Sequence, residues 1–146
     1  MAKYPESLKL ENQICFPLYV ASKEIIRKYQ PILDKYEITY TQYLVLMDLW
    51  EYGRQSVKEI GSRLYLDSGT LTPLLKKLEK KNLLTRVKDK KDERSVLIEL
   101  TEEGKKFRNE AEKVPMEVAQ CVKLSVEEAK VLHSLLYKAI EGFTND

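Results

Sequence analysis

The stretch DSGTLTPLLKKLEKK, residues 67–81, leaves a chain of this kind few choices. Leu71, Leu74, Leu75 and Leu78 fall at i, i+3, i+4 and i+7, which lines one face of an α-helix. Lys76, Lys77, Lys80 and Lys81 take up much of the remaining circumference, so one face needs burial and the other needs water. Pro73 lies early enough that its missing N–H costs little, and Gly69 four residues back leaves room for the ring. Directly afterwards the period drops from 3.6 to 2. Residues 83–89 (LLTRVKD) and 95–100 (SVLIEL) predict two short strands, the second alternating Val96, Ile98 and Leu100. KDKKDER between them, residues 88–94, is too charged to be anything but an exposed turn.

The rest of the pattern is helical, with marked starts. Thr39 with Gln42, Ser56 with Glu59 and Ser125 with Glu128 have capping-box spacing. A long helix is expected over 10–36, with Pro17 in or near its first turns and Pro31 bending its later part. A second follows at 40–52 (Leu44, Leu46, Met47, Leu49, Trp50), closed by Gly53, and a third at 57–64 with Val57, Ile60 and Leu64 on one face. Beyond the hairpin, Thr101 caps a helix running towards Gln120 and interrupted at Pro115. The last helix, 126–143, carries Val131, Leu132, Leu135, Leu136, Ala139, Ile140 and Phe143.

The fold class is therefore mainly α with a small β-hairpin, and 146 residues at 43% hydrophobic suit one domain, 1–146. Two short helices, a basic-faced helix and a hairpin are the order of a winged helix-turn-helix, here about 38–100, flanked by helices at about 8–37 and 101–146. In such a module the second helix enters the major groove with its N-terminal residues at base edges. Those residues are Asp67, Ser68, Gly69, Thr70 and Thr72, short enough for close approach; Lys76 and Lys77 would meet phosphates. Arg86 adds a cation on the first strand. Arg94 at the hairpin tip could enter the neighbouring minor groove, with Asp92 orienting its guanidinium.

Charge points the same way. Residues 76–94 hold nine Lys/Arg against four acids, a net +5 in a chain whose total is +2. That is the footprint of a nucleic-acid binder, although a solvated lysine-rich face gives the same count. No apolar run approaches the roughly 18 residues of a membrane span, and the N-terminus lacks the apolar stretch of a secretory signal, so a cytoplasmic protein without a membrane partner is expected. One histidine and two cysteines 106 positions apart make no metal cluster, and neither Cys-x-x-Cys nor a cofactor motif occurs. No enzyme activity, metal or cofactor is expected.

ENQICFPLYV, residues 11–20, sets Cys15 among apolar neighbours. A cysteine in such surroundings is commonly an inert packing residue; the other reading is a reactive thiol. Reaction with a peroxide needs the thiolate, whereas a free cysteine, with a pKa of about 8.5, is mostly protonated near neutrality. A sensor cysteine therefore needs local donors. Tyrosine hydroxyls suit, since a hydrogen bond to a charged group contributes about 1.5–3 kcal/mol. Tyr19 lies one turn away, and the chain has nine tyrosines against three phenylalanines.

LYLDSGTLTPLLKKLEKKNLLTR followed by KDERSVLIELTEEG resembles the multiple-antibiotic-resistance regulator (MarR) family of winged-helix repressors, whose Asp-x-Arg wing pattern is Asp92-Glu93-Arg94 here. LENQICFPLY and ITYTQYLVL narrow the resemblance to the organic hydroperoxide-resistance branch, over about 8–105 and weakening in the final helices. The resemblance implies a homodimer built from helices of both chain ends, on an inverted-repeat operator in double-stranded DNA, released when an organic hydroperoxide oxidises Cys15. It implies sensor roles for Tyr19, Tyr29 and Tyr40. Apolar neighbours Ile14, Phe16 and Leu18 favour organic hydroperoxides over hydrogen peroxide. The sulfenic acid then needs a trapping thiol, either a low-molecular-weight one or Cys121 of the second subunit; Cys121 equally fits a buried structural role. Pro17 is not part of the family pattern. Two other readings remain: a repressor released by a small phenolic or lipophilic ligand, with Cys15 incidental, and a thiol peroxidase.

Overall fold

The structure, a computed structural model, describes residues 3–145. Seven helices and three short strands follow in the order α1 (Cys15–Leu33), α2 (Tyr40–Tyr52), β1 (Gln55–Ser56), α3 (Val57–Leu64), α4 (Ser68–Lys80), β2 (Leu84–Lys88), β3 (Val96–Leu100), α5 (Glu102–Ala111), α6 (Val114–Ala119) and α7 (Val126–Thr144). The expected winged helix-turn-helix is present, and three of its details differ from the sequence reading.

The first helix begins at Cys15, not near residue 10. Pro17 is its third residue, where the absent N–H belongs to a turn whose amides have no helical partner. Any further turn upstream would bring the proline ring against the carbonyl of Gln13. Instead residues 6–8 and 10–12 form two 3-10 turns, held by Asn12 Nδ2 donating to the Glu6 carbonyl at 2.8 Å and Gln13 Nε2 to that of Ser7 at 2.6 Å. At the other end the helix stops two residues past Pro31, and a 3-10 turn at Asp34–Tyr36 leads to Glu37 in the left-handed region.

The second difference is β1. Only two residues long, it pairs antiparallel with β3 and makes a three-stranded sheet of order β1-β3-β2, in which Ile98 faces Gln55 on one side and Arg86 on the other. The third lies after the sheet, where Pro115 splits the expected helix into α5 and α6, the proline sitting in the first turn of α6.

The core forms where α2, α3 and α4 meet the sheet. Leu46, Leu49, Ile60, Leu71, Leu75, Leu78, Leu84 and Ile98 are all at most 1% exposed. Gly104 lets α5 close on this core: a Cβ there would stand 2.0 Å from the Leu83 carbonyl oxygen. Trp50, the single tryptophan, donates its indole N–H to the Gly104 carbonyl at 2.9 Å and packs 5.9 Å from the Phe107 ring, which joins α2 to α5. By contrast α7 buries none of its residues, and Val131, Leu132, Leu135 and Phe143 lie open along it. Among the described residues no helix is long and apolar enough to cross a membrane.

One charged group sits inside the reading module. Asp48 of α2 is 4% exposed and takes the Nε of Arg63 at 2.6 Å and the Nε2 of Gln55 at 2.7 Å. Arg63 also donates to Gln55 Oε1 at 2.7 Å, and its guanidinium carbon lies 3.7 Å above the centre of the Tyr52 ring. The network ties α2, β1 and α3 together. Burial holds the Asp48 carboxyl above its usual range, against the opposing pull of Arg63. Arg63→Met leaves that carboxylate without its cation and is expected to cost about 3 kcal/mol at neutral pH. A folded-state pKa above the unfolded value makes the group less favourable to folding as pH rises through it, and loss of the guanidinium raises it further. The deficit, read by urea unfolding, should therefore be largest at neutral pH and shrink towards pH 4.

Candidate nucleic-acid interface and thiol site

α4 is positioned by its own two faces. Leu71, Leu74, Leu75 and Leu78 are all buried against α2, α3 and the sheet, so Lys76, Lys77 and Lys80 are held outward. Its start is fixed by Asp67, whose carboxylate accepts from the Thr70 N–H at 2.8 Å and the Thr70 hydroxyl at 3.3 Å. That backbone hydrogen bond is the main reason the Asp67 carboxyl lies below the ordinary carboxylate range. Ser68, Gly69 and Thr70 are exposed on the first turn, whereas Thr72 is half-buried on its flank.

The wing tip is built from its own side chains. Asp89 Oδ1 accepts from the Lys91 N–H at 2.9 Å and Asp92 Oδ1 from the Arg94 N–H at 3.0 Å. Asp92 therefore meets Arg94 through the backbone and leaves the guanidinium free to project, unlike the side-chain pairing expected from the sequence. Arg86 also departs from expectation. Its backbone N–H and its Nε both reach the Glu79 carboxylate, at 3.2 and 3.4 Å, so it clamps β2 to α4 rather than standing free. Between the wing and α3 runs an open groove of about 900 Å³, lined by Asp67, Ser68, Asp92 and Arg94 together with α3 residues that the sequence reading did not single out.

The thiol region lies at the other end of the chain. Cys15 is exposed and is the first residue of α1, where amides without helical partners face outward. Ile14, Phe16 and Tyr19 are exposed beside it. The reading of Cys15 as buried packing does not hold for this chain. Tyr29 does not join Cys15 within one chain, because fourteen residues of helix separate them by about 21 Å along the axis. Tyr29 instead packs on Tyr40, ring centres 4.7 Å apart, and on Tyr43 at 5.9 Å. Burial, and for Tyr29 also the neighbouring Tyr40, raises both hydroxyls above the ordinary tyrosine range; Tyr43 is pushed up to about 12 by burial and by these two neighbours. All three therefore keep their protons, and so can donate hydrogen bonds, well past neutrality.

Cys121 is exposed in the turn after α6, its Sγ 3.8 Å from the Glu117 carbonyl, which contradicts a buried structural role. It forms part of the wall of an apolar cavity of about 500 Å³ between α1 and α7. Among the described residues no cluster of potential metal ligands occurs.

The family model described as transcriptional regulator SarA/Rot matches residues 27–111. The organic hydroperoxide resistance transcriptional regulator of Bacillus subtilis is 49% identical over 136 residues, 93% of this chain and 92% of that one. This chain belongs to the MarR-like winged-helix transcriptional regulators. Within that family it is also 46% identical to the regulator SarZ of Staphylococcus aureus, over 86% of this chain and 85% of the other. The solved structures include AbfR of Staphylococcus epidermidis. Reduced AbfR bound to DNA is 36% identical and superposes with a TM-score of 0.77 over 94% of this chain and 96% of that one. A disulfide-formed AbfR, 34% identical, gives 0.66 over 97% and 96%. These relatives are named as regulators, and the likeness to the organic hydroperoxide-resistance branch expected from the sequence is borne out.

Asp67 gives a test of the local geometry. A carboxyl held below its usual range stabilises the fold above that range and stops doing so as pH falls through its folded-state value. Asp67→Ala is expected to lower the melting temperature at neutral pH, with parent and variant converging in acid; calorimetry at several pH values measures both.

Proposed function

We propose that the protein is a homodimeric, cytoplasmic repressor that binds an inverted-repeat operator and leaves it when an organic hydroperoxide oxidises Cys15. The observation that carries this reading is the placement of Cys15, an exposed thiol at the first residue of α1, in a chain 49% identical to an organic hydroperoxide resistance regulator. The terminal helices support the dimer, since α7 has nothing in its own chain to cover its apolar face. A two-fold pair of α4 helices suits two half-sites about one helical turn apart.

DNA recognition falls to Asp67, Ser68, Gly69, Thr70 and Thr72 at base edges, Lys76 and Lys77 on phosphates, and Arg94 with its Asp92-braced tip in the minor groove. Arg86 acts through its clamp on Glu79.

At the sensor, a thiolate at a helix N-terminus has the positive end of the helix dipole beside it. Tyr19 supplies a hydroxyl from the same helix. Tyr29 and Tyr40 lie too far along their own chain, so the hydroxyls that reach Cys15 are those of Tyr29 and Tyr40 of the partner subunit. The sulfur attacks one peroxide oxygen and the O–O bond breaks, giving Cys15 sulfenic acid and an alcohol that takes up a proton. A second thiol then forms a disulfide with loss of water. The exposed Cys121 of the partner subunit is the proposed thiol, with a low-molecular-weight thiol as the other candidate. The adduct removes the tyrosine hydrogen bonds at the interface and shifts the spacing of the two α4 helices.

The test starts from a duplex selected from a random-sequence pool by the reduced protein. Cumene hydroperoxide should release the parent, while Cys15→Ser binds equally well and stays bound; a Cys15→Ser protein that still dissociates would move the trigger to a ligand. Arg94→Ala should weaken binding at least about tenfold with an unchanged melting curve, as expected for loss of one groove contact. On non-reducing gels the oxidised parent should run as a linked dimer and Cys121→Ser should not; a band that persists excludes Cys121.

A further inference from the structure

The groove between the wing and α3 contains side chains that the proposed base and wing contacts leave unused. Lys58, Ser62 and Tyr65 recur at i, i+4 and i+7, so they share one exposed face of α3 and its cap. Facing them across the groove stand Ser68 of α4 and Arg94 and Ser95 of the wing. Tyr65 is the most unusual of the set. It caps α3 at φ 56°, a left-handed conformation that disfavours any residue with a Cβ, and its ring is 63% exposed. The turn itself is tight, with the Leu66 N–H donating to the Gly61 carbonyl at 2.9 Å. Glycine or asparagine would hold such a cap with less strain. A bulky aromatic kept there, pointing a phenol at water, gains nothing from burial.

Two carboxylates also line the groove, and both are engaged locally: Asp67 on Thr70 and Asp92 on the Arg94 N–H. The cations Lys58 and Arg94 stand at opposite sides with neutral hydroxyls between them. That arrangement suits a chain of singly charged anions crossing the groove. It does not suit a compact multivalent anion, which would draw several cations to one point.

We infer that this groove holds the DNA sugar-phosphate backbone where it passes from the major groove, occupied by α4, to the minor groove at the wing, with the Tyr65 hydroxyl and the Lys58 ammonium on its phosphates. The inference rests on the proposed DNA-binding function and adds to it a contact surface on α3. Tyr65 donates a neutral hydrogen bond and contributes affinity with little dependence on salt. Lys58 displaces a counterion and contributes through the salt slope. Neither reads sequence, so both act on register and on overall affinity.

The experiment measures fluorescence anisotropy of the reduced protein with the selected duplex from 50 to 300 mM salt. Tyr65→Phe is expected to bind about tenfold more weakly, the usual scale for a hydrogen bond to a charged group, with the slope of log K against log salt unchanged. Lys58→Gln should flatten that slope by about 0.9. Tyr65→Gly separates function from folding: it relieves the left-handed cap, so it should melt no lower than the parent while binding at least as weakly as Tyr65→Phe. Tyr65→Phe binding within twofold of the parent, or Lys58→Gln leaving the slope unchanged, overturns the inference. If the parent protein selects no duplex, the failure belongs to the DNA-binding function and not to the groove.

Discussion

Burial of one face of α4 is the constraint on which the remaining architecture depends. Four leucines on that face are removed from water, and at about 25 cal/mol per Å² their burial is a major stabilising contribution to the reading module. The same packing decides where the lysines go, because a helix fixed by one face has no freedom to rotate the other. Position and charge are therefore not separate properties of α4. The Glu79 clamp on β2 and the Asp67 cap then fix its axial and N-terminal placement.

The ends of the chain obey a different logic. α1 and α7 are long, carry apolar residues, and leave most of them open: Phe16, Ile26, Leu132, Leu135 and Phe143 all remain substantially exposed in one chain. Soluble chains seldom leave so much apolar surface uncovered. The distance between Cys15 and Tyr29 on α1 carries the same message in chemical terms, since a sensor made of both needs two chains.

Much of this was legible in the sequence for identifiable reasons. The α4 stripe, the alternation of β3 and the three capping boxes at Thr39, Ser56 and Ser125 are local signals, and each is found in the structure. The start of α1 was misplaced because apolar periodicity continues through residues 10–14, while the steric demand of Pro17 overrides it. β1 was missed because two residues paired to a strand more than forty positions away carry no pattern. The Arg86–Glu79 contact and the left-handed Tyr65 depend on tertiary placement, so they could not be read from spacing. A polar Asp48 amid the apolar α2 pattern was the one visible trace of the Arg63 network.

The Trp50 joint has a further consequence. The chain has a single indole, and it sits where α2 of the reading module grips α5, bonded to the Gly104 carbonyl and stacked on Phe107. On its other side it lies 6.5 Å from Tyr43, which is in contact with Tyr29. The protein thus contains its own optical gauge, one emitter at the seam between the part that touches DNA and the part that joins two subunits. Any motion passed across that seam must change the polarity or the quenching around one ring, so it can be timed in the unlabelled, unmutated molecule.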